Sequence, residues 1–332
     1  MAKVLKLGDF GSANEKCEEL SKLAQVIECE SKDREEFIKD LHDKYNDITH
    51  IARTYESVTQ TGLFDQEIVK HLPQALKSIS HNGAGFDQIK DIKGLTDRKI
   101  QVSNVTEPVE APTACTAVYL VLSCLRNYQH GHSNIKNWER DGKAAGVEFG
   151  NSPEGKTVGI LGMGGIGRAI RDRLKPFGFN IVYHNRSQLK PELENGAKYV
   201  SKEELYQSDV ICISVPLNEK TRHSINKEEI LKMKDGIIIV NTSRGAVIDE
   251  KILPELIKSG KIKSFGADVF ENEPKISPEL LELPQVVSLP HMGTHTYEAV
   301  KEMQEWTIDN VISCLKTGKV KSLIPEQGNV QF

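Results

Sequence analysis

The sequence has no excess of charge of either sign and no cysteine spacing that indicates a metal or disulfide site. Lysine and arginine number 43 against 47 aspartates and glutamates, a formal net charge of −4. This balance lacks the basic character that binding to nucleic acid or to an anionic membrane requires. The six cysteines are scattered without a C-x-x-C pair, as is typical of thiols in a reducing compartment. We therefore expect a small molecule as partner, and no metal, nucleic acid or membrane.

Long apolar runs and sorting signals are also missing. No run approaches the roughly 20 apolar residues that span a bilayer, and Met1–Leu7 lacks the apolar region of a signal peptide. The final Asn329–Phe332 matches none of the C-terminal signals that sorting receptors read. There is no internal repeat and no low-complexity tract. The expected location is cytoplasmic.

The composition that remains is that of a globular protein, with 38% hydrophobic and 27% charged residues over 332 positions. This length is about twice that of a typical domain, so two domains are expected. Strand and helix patterns alternate over roughly the first hundred residues and again from Lys156, which predicts an α/β fold with two Rossmann-like domains and parallel sheets. The polar stretch Gly131–Gly150 shows no strong periodicity and is interpreted as a bridge between the domains.

The element predictions are as follows. The predicted strands are Lys3–Leu7, Ile48–Ala52, Ser78–Ser80, Lys156–Leu161, Asn180–Tyr183, Val210–Ser214, Ile237–Val240, Ser264–Ala267 and Val286–Leu289. The predicted helices are Cys17–Leu23, Arg34–Leu41, Thr113–Tyr128, a helix from near Arg168 to near Phe177, and Tyr297–Leu315.

A glycine-rich motif, Gly162–Gly167, follows one of these strands and precedes a helix, in the pattern G-x-G-x-x-G. Glycines let the backbone turn tightly toward a pyrophosphate, whose charge meets exposed N–H groups and the positive end of the helix. The motif therefore predicts a dinucleotide site; the alternative is a turn that merely tolerates glycine. The expected cofactor contacts in the motif are Gly162, Gly164, Gly165, Ile166 and Gly167.

The residues after the next strand bear on the choice of cofactor. NAD-preferring sites usually end this strand with an acidic residue that hydrogen-bonds the ribose. Here Asn185, Arg186 and Ser187 follow, with no carboxylate to repel a 2′-phosphate and with a guanidinium and a hydroxyl that can bind one. We therefore expect NADP(H) to be favoured, with NAD(H) as the other cofactor. The alternative is that Arg186 stacks on adenine or faces solvent, which would leave the site indifferent to the phosphate.

Uncommon polar residues lie at the ends of four predicted elements, where the carboxyl ends of parallel strands line a ligand crevice. Reduction of a keto acid needs a cation for its carboxylate and carbonyl, a proton donor for the developing alkoxide, and a hydride. Arg244 and His291 can supply the first two, a nicotinamide the third, and Glu273 can favour the imidazolium and orient its ring. Taken singly, each has a plainer explanation as a structural ion pair, a satisfied histidine or a solvated carboxylate.

The sequence resembles the D-isomer-specific 2-hydroxyacid dehydrogenase family over nearly the whole chain, through the ordered motifs Val158–Gly167, Val240–Asp249, Gly266–Pro274 and Leu289–Gly293. Within that family it resembles the fungal glyoxylate reductases and related 2-hydroxyacid dehydrogenases, through Gly83–Ile89, Tyr183–Arg186 and Leu289–His295. The resemblance implies reduction of a small 2-keto acid, such as glyoxylate or hydroxypyruvate, to a D-2-hydroxy acid.

The resemblance also implies site residues. Arg244 would bind the keto acid, His291 would donate or accept the proton with Glu273 as its partner, and backbone amides around Ala84 and Gly85 would hold the substrate carboxylate. The further cofactor contacts that it implies are Val215, Pro216, Thr242, Gly293 and Asp268, the last on the nicotinamide carboxamide.

The domain plan that the resemblance implies is discontinuous. A substrate domain would comprise residues 1–105 and 297–332, a dinucleotide-binding domain residues 106–296, and the active site would lie in the cleft between them. Homodimers are common in the family, with the bridging helix and the arm near Trp138 packing across a two-fold axis, so we expect a homodimer.

Departures from the family pattern concern the cofactor and the pocket. Asn185 stands where NAD-dependent members usually have aspartate, Cys115 replaces a common acidic residue, and Thr294 and His295 replace smaller residues after the histidine. The first departure favours NADP(H), and the last leaves the pocket shape open.

Other members of the fold supply alternatives. Formate dehydrogenases pair the histidine with glutamine, against which Glu273 argues, and phosphoglycerate dehydrogenases often carry an extra regulatory domain. A different class is a dinucleotide-sensing binding protein similar to the transcriptional corepressors of this fold, which would bind cofactor tightly and reduce keto acids negligibly.

Overall fold

The computed structural model describes residues 1–332 and divides into two compact units. The first comprises Met1–Val109 and His295–Phe332, and the second comprises Glu110–Thr294. The first unit therefore draws on both ends of the sequence. The sequence predicted that the first domain stops at residue 105 and resumes at residue 297; the first unit of the structure stops at 109 and resumes at 295.

The first unit contains one parallel sheet. Its strands are β1 (Lys3–Leu7), β2 (Gln25–Glu28), β3 (His50–Thr54), β4 (Ser78–Asn82) and β5 (Gln101–Ser103). Its helices are α1 (Asn14–Leu23), α2 (Arg34–Leu41), α3 (Val58–Thr61), α4 (Gln66–His71), α5 (Ile92–Asp97) and the C-terminal helix Tyr297–Thr317. The strand order is β2-β1-β3-β4-β5.

Both faces of this sheet are buried: every residue of β3 and all but the last of β4 are shielded from solvent. Ile51 lies in a core with Phe37 on one face. On the other face Val4 packs in a core with Ile308 and Val311 of the C-terminal helix. Because burial of each such side chain contributes roughly 2 kcal/mol, the C-terminal helix is an integral part of this core.

The second unit contains a larger parallel sheet. Its strands are β6 (Thr157–Leu161), β7 (Asn180–His184), β8 (Lys198–Tyr199), β9 (Val210–Ile213), β10 (Ile237–Asn241), β11 (Ile262–Ala267) and β12 (Val286–Ser288). Its helices are α6 (Glu110–Arg126), α7 (Tyr128–Asn134), α8 (Trp138–Asp141), α9 (Gly165–Leu174), α10 (Pro191–Glu194), α11 (Lys202–Leu205), α12 (Lys227–Lys232), α13 (Leu253–Lys258) and α14 (Pro278–Leu281). The strand order is β12-β11-β10-β9-β6-β7-β8.

Short 3₁₀ helices complete both units. They are Gly11–Ala13, Glu107–Val109, Ile135–Asn137, Lys143–Gly146, Lys175–Phe177, Gly245–Val247, Glu250–Ile252 and Pro325–Gln327.

The strand order of the second sheet reverses between β6 and β9, because the chain runs out through β7 and β8 and then returns to the other side of β6. Ligands of open α/β sheets bind beyond the carboxyl ends of strands at such a reversal. Gly162, directly after β6, has a φ of +98°, and a Cβ there would lie 2.6 Å from the Ser214 carbonyl oxygen after β9. Only glycine fits where the two loops meet.

One apolar segment is longer than the sequence analysis expected. Glu107–Arg126, most of which is α6, could cross a membrane by length and composition alone, so the expectation that no run approaches this length is wrong. Half of the segment is buried within the protein. Ala117 and Leu120 of α6 lie in a core with Ile160 of β6, and this packing accounts for the apolar character of the helix.

The structure corrects several predicted elements. The missed strands β2, β5 and β8 have only 4, 3 and 2 residues and lie at sheet edges, so they carry too little periodicity to be recognised. The predicted strand Ile48–Ala52 is shifted to His50–Thr54, and α9 begins at Gly165, not near Arg168. Gly131–Gly150 includes α8 and most of α7, neither of which has a buried residue, so no apolar stripe marks them. All six cysteines are free thiols.

Candidate active site

The glycine-rich loop lies at the strand reversal of the second unit. The Gly162 N–H donates to the His184 carbonyl oxygen at 3.0 Å, which ties the loop to β7. A Cβ on Gly164, the residue before α9, would meet nothing within 4 Å. A Cβ on Gly167 would lie 2.3 Å from the Gly162 carbonyl oxygen, so the helix packs closely on the loop. A helix N-terminus that follows a close-packed glycine turn fits a dinucleotide pyrophosphate.

The three residues after β7 differ in their surroundings. Asn185 Oδ1 accepts a hydrogen bond from the Met163 N–H at 2.7 Å, so this side chain supports the glycine-rich loop. The Asn185 carbonyl oxygen accepts from the Tyr199 hydroxyl at 3.1 Å. Arg186 and Ser187 are exposed beside it. An exposed guanidinium and hydroxyl at this position can bind a phosphate on the ribose.

Arg244 lies beyond the end of β10 on a loop that the buried Asn241 organises. Asn241 Nδ2 donates to the Arg244 carbonyl oxygen at 3.0 Å, and its Oδ1 accepts from the Ser243 N–H at 3.0 Å and hydroxyl at 2.8 Å. Arg244 Nη1 donates to the Ser243 carbonyl oxygen at 2.9 Å. A Cβ on Gly245 would lie 1.9 Å from the Phe270 carbonyl carbon, so the Arg244 loop packs directly on the turn that begins there.

Asp268, directly after β11, joins the Arg244 loop to the segment that follows β12. Its N–H donates to the Asn241 carbonyl oxygen at 3.0 Å, and its carbonyl oxygen accepts from the His291 N–H at 2.9 Å. Its carboxylate accepts from the N–H groups of Met292 and Gly293, both at 2.8 Å. Burial raises the pKa of Asp268 even though these N–H groups oppose the shift. The predicted contact with the nicotinamide carboxamide stays a prediction.

Glu273 and His291 form a hydrogen-bonded pair. His291 Nδ1 lies 2.7 Å from Glu273 Oε2, and Glu273 Oε1 accepts from the Phe270 N–H at 2.8 Å. Burial would raise the pKa of Glu273, but the hydrogen bonds from His291 and Phe270 and the charge of Arg244 hold it below its usual value. The carboxylate is therefore ionised at neutral pH. His291 has a φ of +52°, a left-handed conformation that few non-glycine residues adopt.

The structure also places ionisable residues here that the sequence analysis missed. Glu250 Oε2 accepts from the Glu271 N–H at 2.9 Å, and burial with the charges of Glu271 and Glu273 raises the pKa of Glu250. His223 Nε2 lies 2.7 Å from Glu271 Oε1. One ligand atom each from His223, Asp249 and Glu271 lie within 4.8 Å of one another, a spacing that could hold a cation. The only sequence signal was that Glu250 follows the Val240–Asp249 motif directly.

The predicted substrate loop belongs to the first unit and follows β4. All three of its carbonyl oxygens are engaged: Gly83 accepts from Val105 N–H at 3.0 Å, Ala84 from Asn104 Nδ2 at 2.7 Å, and Gly85 from His81 Nε2 at 3.0 Å. No hydrogen bond within the chain engages the N–H groups of Ala84 and Gly85. A turn whose carbonyl oxygens accept hydrogen bonds from the protein, and whose successive N–H groups donate none within it, is a common anion-binding geometry.

Most of the predicted site residues of the second unit lie at the carboxyl ends of its strands. Arg244, Asp268, Glu273 and His291 are joined there by the hydrogen bonds above. The remaining predicted cofactor contacts follow β6, β9, β10 and β12: Ile166 and Gly165 at the start of α9, Val215 and Pro216, Thr242, and Gly293.

Comparison with known proteins shows what the chain resembles. Residues 118–293 match a family model described as D-isomer specific 2-hydroxyacid dehydrogenase, NAD binding domain. The chain is 50% identical to glyoxylate reductase 1 of Saccharomyces cerevisiae, covering 98% of this chain and 95% of that protein. It is 45% identical to 4-methyl-2-oxopentanoate reductase A of Aspergillus oryzae, covering 99% and 100% respectively.

Solved structures show the same similarity. A glyoxylate reductase from Paecilomyes thermophila matches with a TM-score of 0.94 at 44% identity, covering 98% of this chain and 99% of that one. An NADPH-dependent glyoxylate/hydroxypyruvate reductase from Sinorhizobium meliloti, solved with NADP and malonate, matches with a TM-score of 0.84 at 25% identity, covering 100% and 99%. Each of these proteins matches nearly the full length of the chain.

Proposed function

The chain belongs to the D-isomer specific 2-hydroxyacid dehydrogenase family and is an NAD(P)-dependent dehydrogenase, and on this premise we propose that it reduces glyoxylate, hydroxypyruvate or a similar small 2-keto acid to the D-2-hydroxy acid, using NADPH. The observation that carries the proposal is the Glu273–His291 hydrogen bond on the turn against which the Arg244 loop packs. A cation, a proton donor and an ionised partner are the groups that this reaction requires of the protein.

The substrate carboxylate is negatively charged. In the second unit we assign it to Arg244; in the first unit the N–H groups of Ala84 and Gly85 are the groups suited to bind such an anion. A guanidinium forms two parallel, charge-assisted hydrogen bonds with a carboxylate and can polarise the adjacent carbonyl. The Asn241 hydrogen bonds hold the Arg244 backbone, so the loop does not have to be ordered when substrate binds.

His291 supplies the proton in the proposed mechanism. Because ionised Glu273 accepts from Nδ1–H, the proton that leaves for the substrate oxygen is the one on Nε2. As the carbonyl carbon gains a hydride, its oxygen becomes an alkoxide and takes this proton, which leaves the imidazole neutral until solvent protonates it again. In the reverse direction the neutral imidazole removes the hydroxyl proton.

The second unit fits a nicotinamide dinucleotide, which supplies the hydride when bound. Gly162–Gly167 would hold the pyrophosphate, since only glycine fits at two of these positions and the loop leads directly into the N-terminus of α9. Arg186 and Ser187 would hold a 2′-phosphate, while Asn185 carries no charge that would repel it. We therefore propose a preference for NADPH over NADH; the Sinorhizobium meliloti relative is named as NADPH-dependent.

The experiment that tests the proposal follows the loss of reduced-nicotinamide absorbance with NADPH and NADH in parallel. The substrates are glyoxylate, hydroxypyruvate, pyruvate, phenylglyoxylate and, because of the Aspergillus oryzae relative, 4-methyl-2-oxopentanoate. We expect reduction of the smaller acids with an NADPH preference. Inactivity with every acid, in protein that binds NADPH, would contradict the proposal and favour a dinucleotide-sensing protein.

We also propose that the chain forms a homodimer through α6 and the arm, which we define as Asn127–Gly150. The arm and α6 expose large apolar side chains, with exposed fractions of 57% for Ile135, 57% for Trp138 and 101% for Phe149. Apolar surface of this kind is usually covered in an assembly. Sedimentation should give twice the monomer mass for the wild type and the monomer mass for Trp138→Glu; a monomeric wild type at micromolar concentration would contradict the proposal.

A further inference from the structure

Arg53 is a fully buried cation without an acidic partner. It lies near the end of β3, at the centre of the first sheet, and is 0% exposed. Its Nη2 donates to Gln88 Oε1 at 2.8 Å and its Nε to Ser57 Oγ at 3.3 Å, both neutral acceptors. The guanidinium lies over the Phe64 ring, 4.8 Å from the centroid. Its Nη1 is buried and has no hydrogen-bond partner.

A buried guanidinium in this state is costly, because it has lost its hydration without gaining a counter-charge. Burial lowers the pKa of Arg53 only to about 10, so the side chain is charged at neutral pH. Proteins that need only packing at such a position use an apolar side chain, which is often as stable or more stable. The charge itself therefore calls for an explanation.

The surroundings of Arg53 point to the Gly83–Gly85 loop. Arg53 pairs in register with His81 on β4, and His81 Nε2 donates to the Gly85 carbonyl oxygen at 3.0 Å. On the other side of the loop, Gln88 follows Gly85 by three residues and accepts from Arg53. Arg53 is thus the register neighbour of His81, before the loop, and the hydrogen-bond donor to Gln88, after it. The loop between them is the one that leaves the Ala84 and Gly85 N–H groups without a partner within the chain.

We infer that Arg53 is a positioning residue for the anionic substrate: its buried, unpaired charge makes the Gly83–Gly85 loop electrostatically positive, and its hydrogen bond to Gln88 holds the loop in that form. This inference rests on the proposed function, since it deepens the assignment of the loop to the substrate carboxylate. At an effective dielectric constant of about 20, the loss of a nearby unit charge weakens the affinity for an anion on the order of tenfold. Removal of the charge weakens substrate binding, so it raises KM and leaves kcat nearly unchanged.

The test compares Arg53→Lys, which keeps the charge, with Arg53→Met, which removes charge and hydrogen bonds. Arg98→Met is the matched control, because Arg98 binds backbone carbonyls, including Leu72 at 2.8 Å and Pro73 at 3.0 Å, and caps α5 at the opposite end of the same sheet. Oxalate, a non-reducible dicarboxylate analogue of glyoxylate, is titrated calorimetrically with and without NADPH, and KM and kcat for glyoxylate are measured on the same samples.

We expect Arg53→Met to weaken oxalate binding about tenfold and to raise KM by a similar factor, with kcat and NADPH affinity within about twofold of wild type. Arg53→Lys should restore most of the oxalate affinity. Arg98→Met should lower the melting temperature but leave the oxalate affinity unchanged. Wild-type oxalate affinity in Arg53→Met, or equal losses in the Lys and Met variants, would overturn the inference. If Arg53→Met does not fold, Arg53→Gln, which retains a donor for Gln88, takes its place with the same expectations.

The oxalate titration separates this inference from the proposed function, because it needs no turnover. A wild type that binds oxalate in an Arg53-dependent way but reduces no keto acid would contradict the proposed function and support the role of Arg53. If the wild type reduces glyoxylate and Arg53→Met keeps the wild-type KM, the proposed function is supported and the role of Arg53 is contradicted.

Discussion

Glu273 holds the His291 ring and is itself held by its own turn. One carboxylate oxygen lies 2.7 Å from His291 Nδ1, and the other accepts from the Phe270 N–H at 2.8 Å. Since the turn packs on Gly245, next to Arg244, the proposed proton donor and the proposed substrate cation are fixed to one backbone framework. The geometry leads to predictions about each part of that framework.

Replacement of His291 by alanine should lower kcat for glyoxylate reduction about 10²–10⁴-fold, because no other group takes its place as proton donor. The dissociation constant for NADPH, measured by fluorescence titration, should stay within about twofold. His132→Ala, at an exposed position of the arm, is the control and should be fully active. Full activity of purified His291→Ala would exclude the assigned role.

Glu273→Gln should change the pH dependence of reduction. The variant keeps an acceptor oxygen for Nδ1–H but loses the negative charge that stabilises the imidazolium, and the carboxylate, with its lowered pKa, carries that charge across the neutral range. The pH profile of kcat/KM for reduction should therefore differ from that of wild type, and its maximum should be lower. An unchanged profile with an unchanged maximum would show that Glu273 does not act on His291.

Arg186→Ala should weaken binding of NADPH at least about tenfold more than that of NADH, since only NADPH carries the phosphate that we assign to the guanidinium. Asn185→Asp is the complementary change: the side chain can still accept from Met163 N–H, but its charge would repel the phosphate and favour NADH. Equal losses of both cofactors in Arg186→Ala would contradict this assignment.

Asp268→Ala should destabilise the second unit and impair catalysis together. The N–H groups of Met292 and Gly293, of which the second is buried, would lose their acceptor, at a cost of roughly 1–3 kcal/mol in the free energy of unfolding. Urea unfolding measures this change. Asp235→Ala, whose side chain is 93% exposed and pairs with Lys261, is the control and should cost at most about 1 kcal/mol. Similar losses in both variants would show that the Asp268 hydrogen bonds do not support the loop.

Glu229 should make stability depend on acid pH. Its carboxylate accepts from Lys202 and Lys232, both at 2.6 Å, and these bonds with that of Tyr206 lower its pKa from 4.5 to about 2. A pKa lowered by folding stabilises the protein above the unfolded value and loses that contribution as pH falls through the folded value.

The difference in unfolding free energy between wild type and Glu229→Gln should accordingly be about 1–2 kcal/mol at pH 7, after allowance for solvent screening. It should shrink between pH 4.5 and 2, the window set by the two pKa values. Glu228→Gln, the exposed neighbour, should show no such dependence. A difference that is the same at pH 7 and pH 3 would refute the electrostatic origin.

The sequence predicted the central strands of the second sheet well because most of their residues are apolar and polar turns follow them. Val210–Ser214 was expected and β9 is Val210–Ile213; Ser264–Ala267 was expected and β11 is Ile262–Ala267. The edge strands escaped detection because two to four residues give no usable period. The arm helices escaped because they bury nothing, so no apolar stripe distinguishes them from a loop.

At the site, the motifs pointed to Arg244, Glu273 and His291 as side chains, but not to what holds them. The Asp268 carboxylate on two backbone N–H groups and the Asn241 amide on the Arg244 carbonyl join segments that are distant in sequence, and no periodicity encodes such bonds. Arg53 escaped for another reason: its strand was predicted to end at Ala52, one residue before it.

The first unit is assembled from residues at both ends of the chain, and this has a consequence for biosynthesis. All of Glu110–Thr294 leaves the ribosome before the C-terminal helix exists, so the second unit can close its sheet while Val4 still lacks Ile308 and Val311. The nascent N-terminal segment therefore carries an uncovered apolar face for most of translation, which is the kind of surface that chaperones bind. Its folding is completed only when the last tenth of the chain, roughly, has been made.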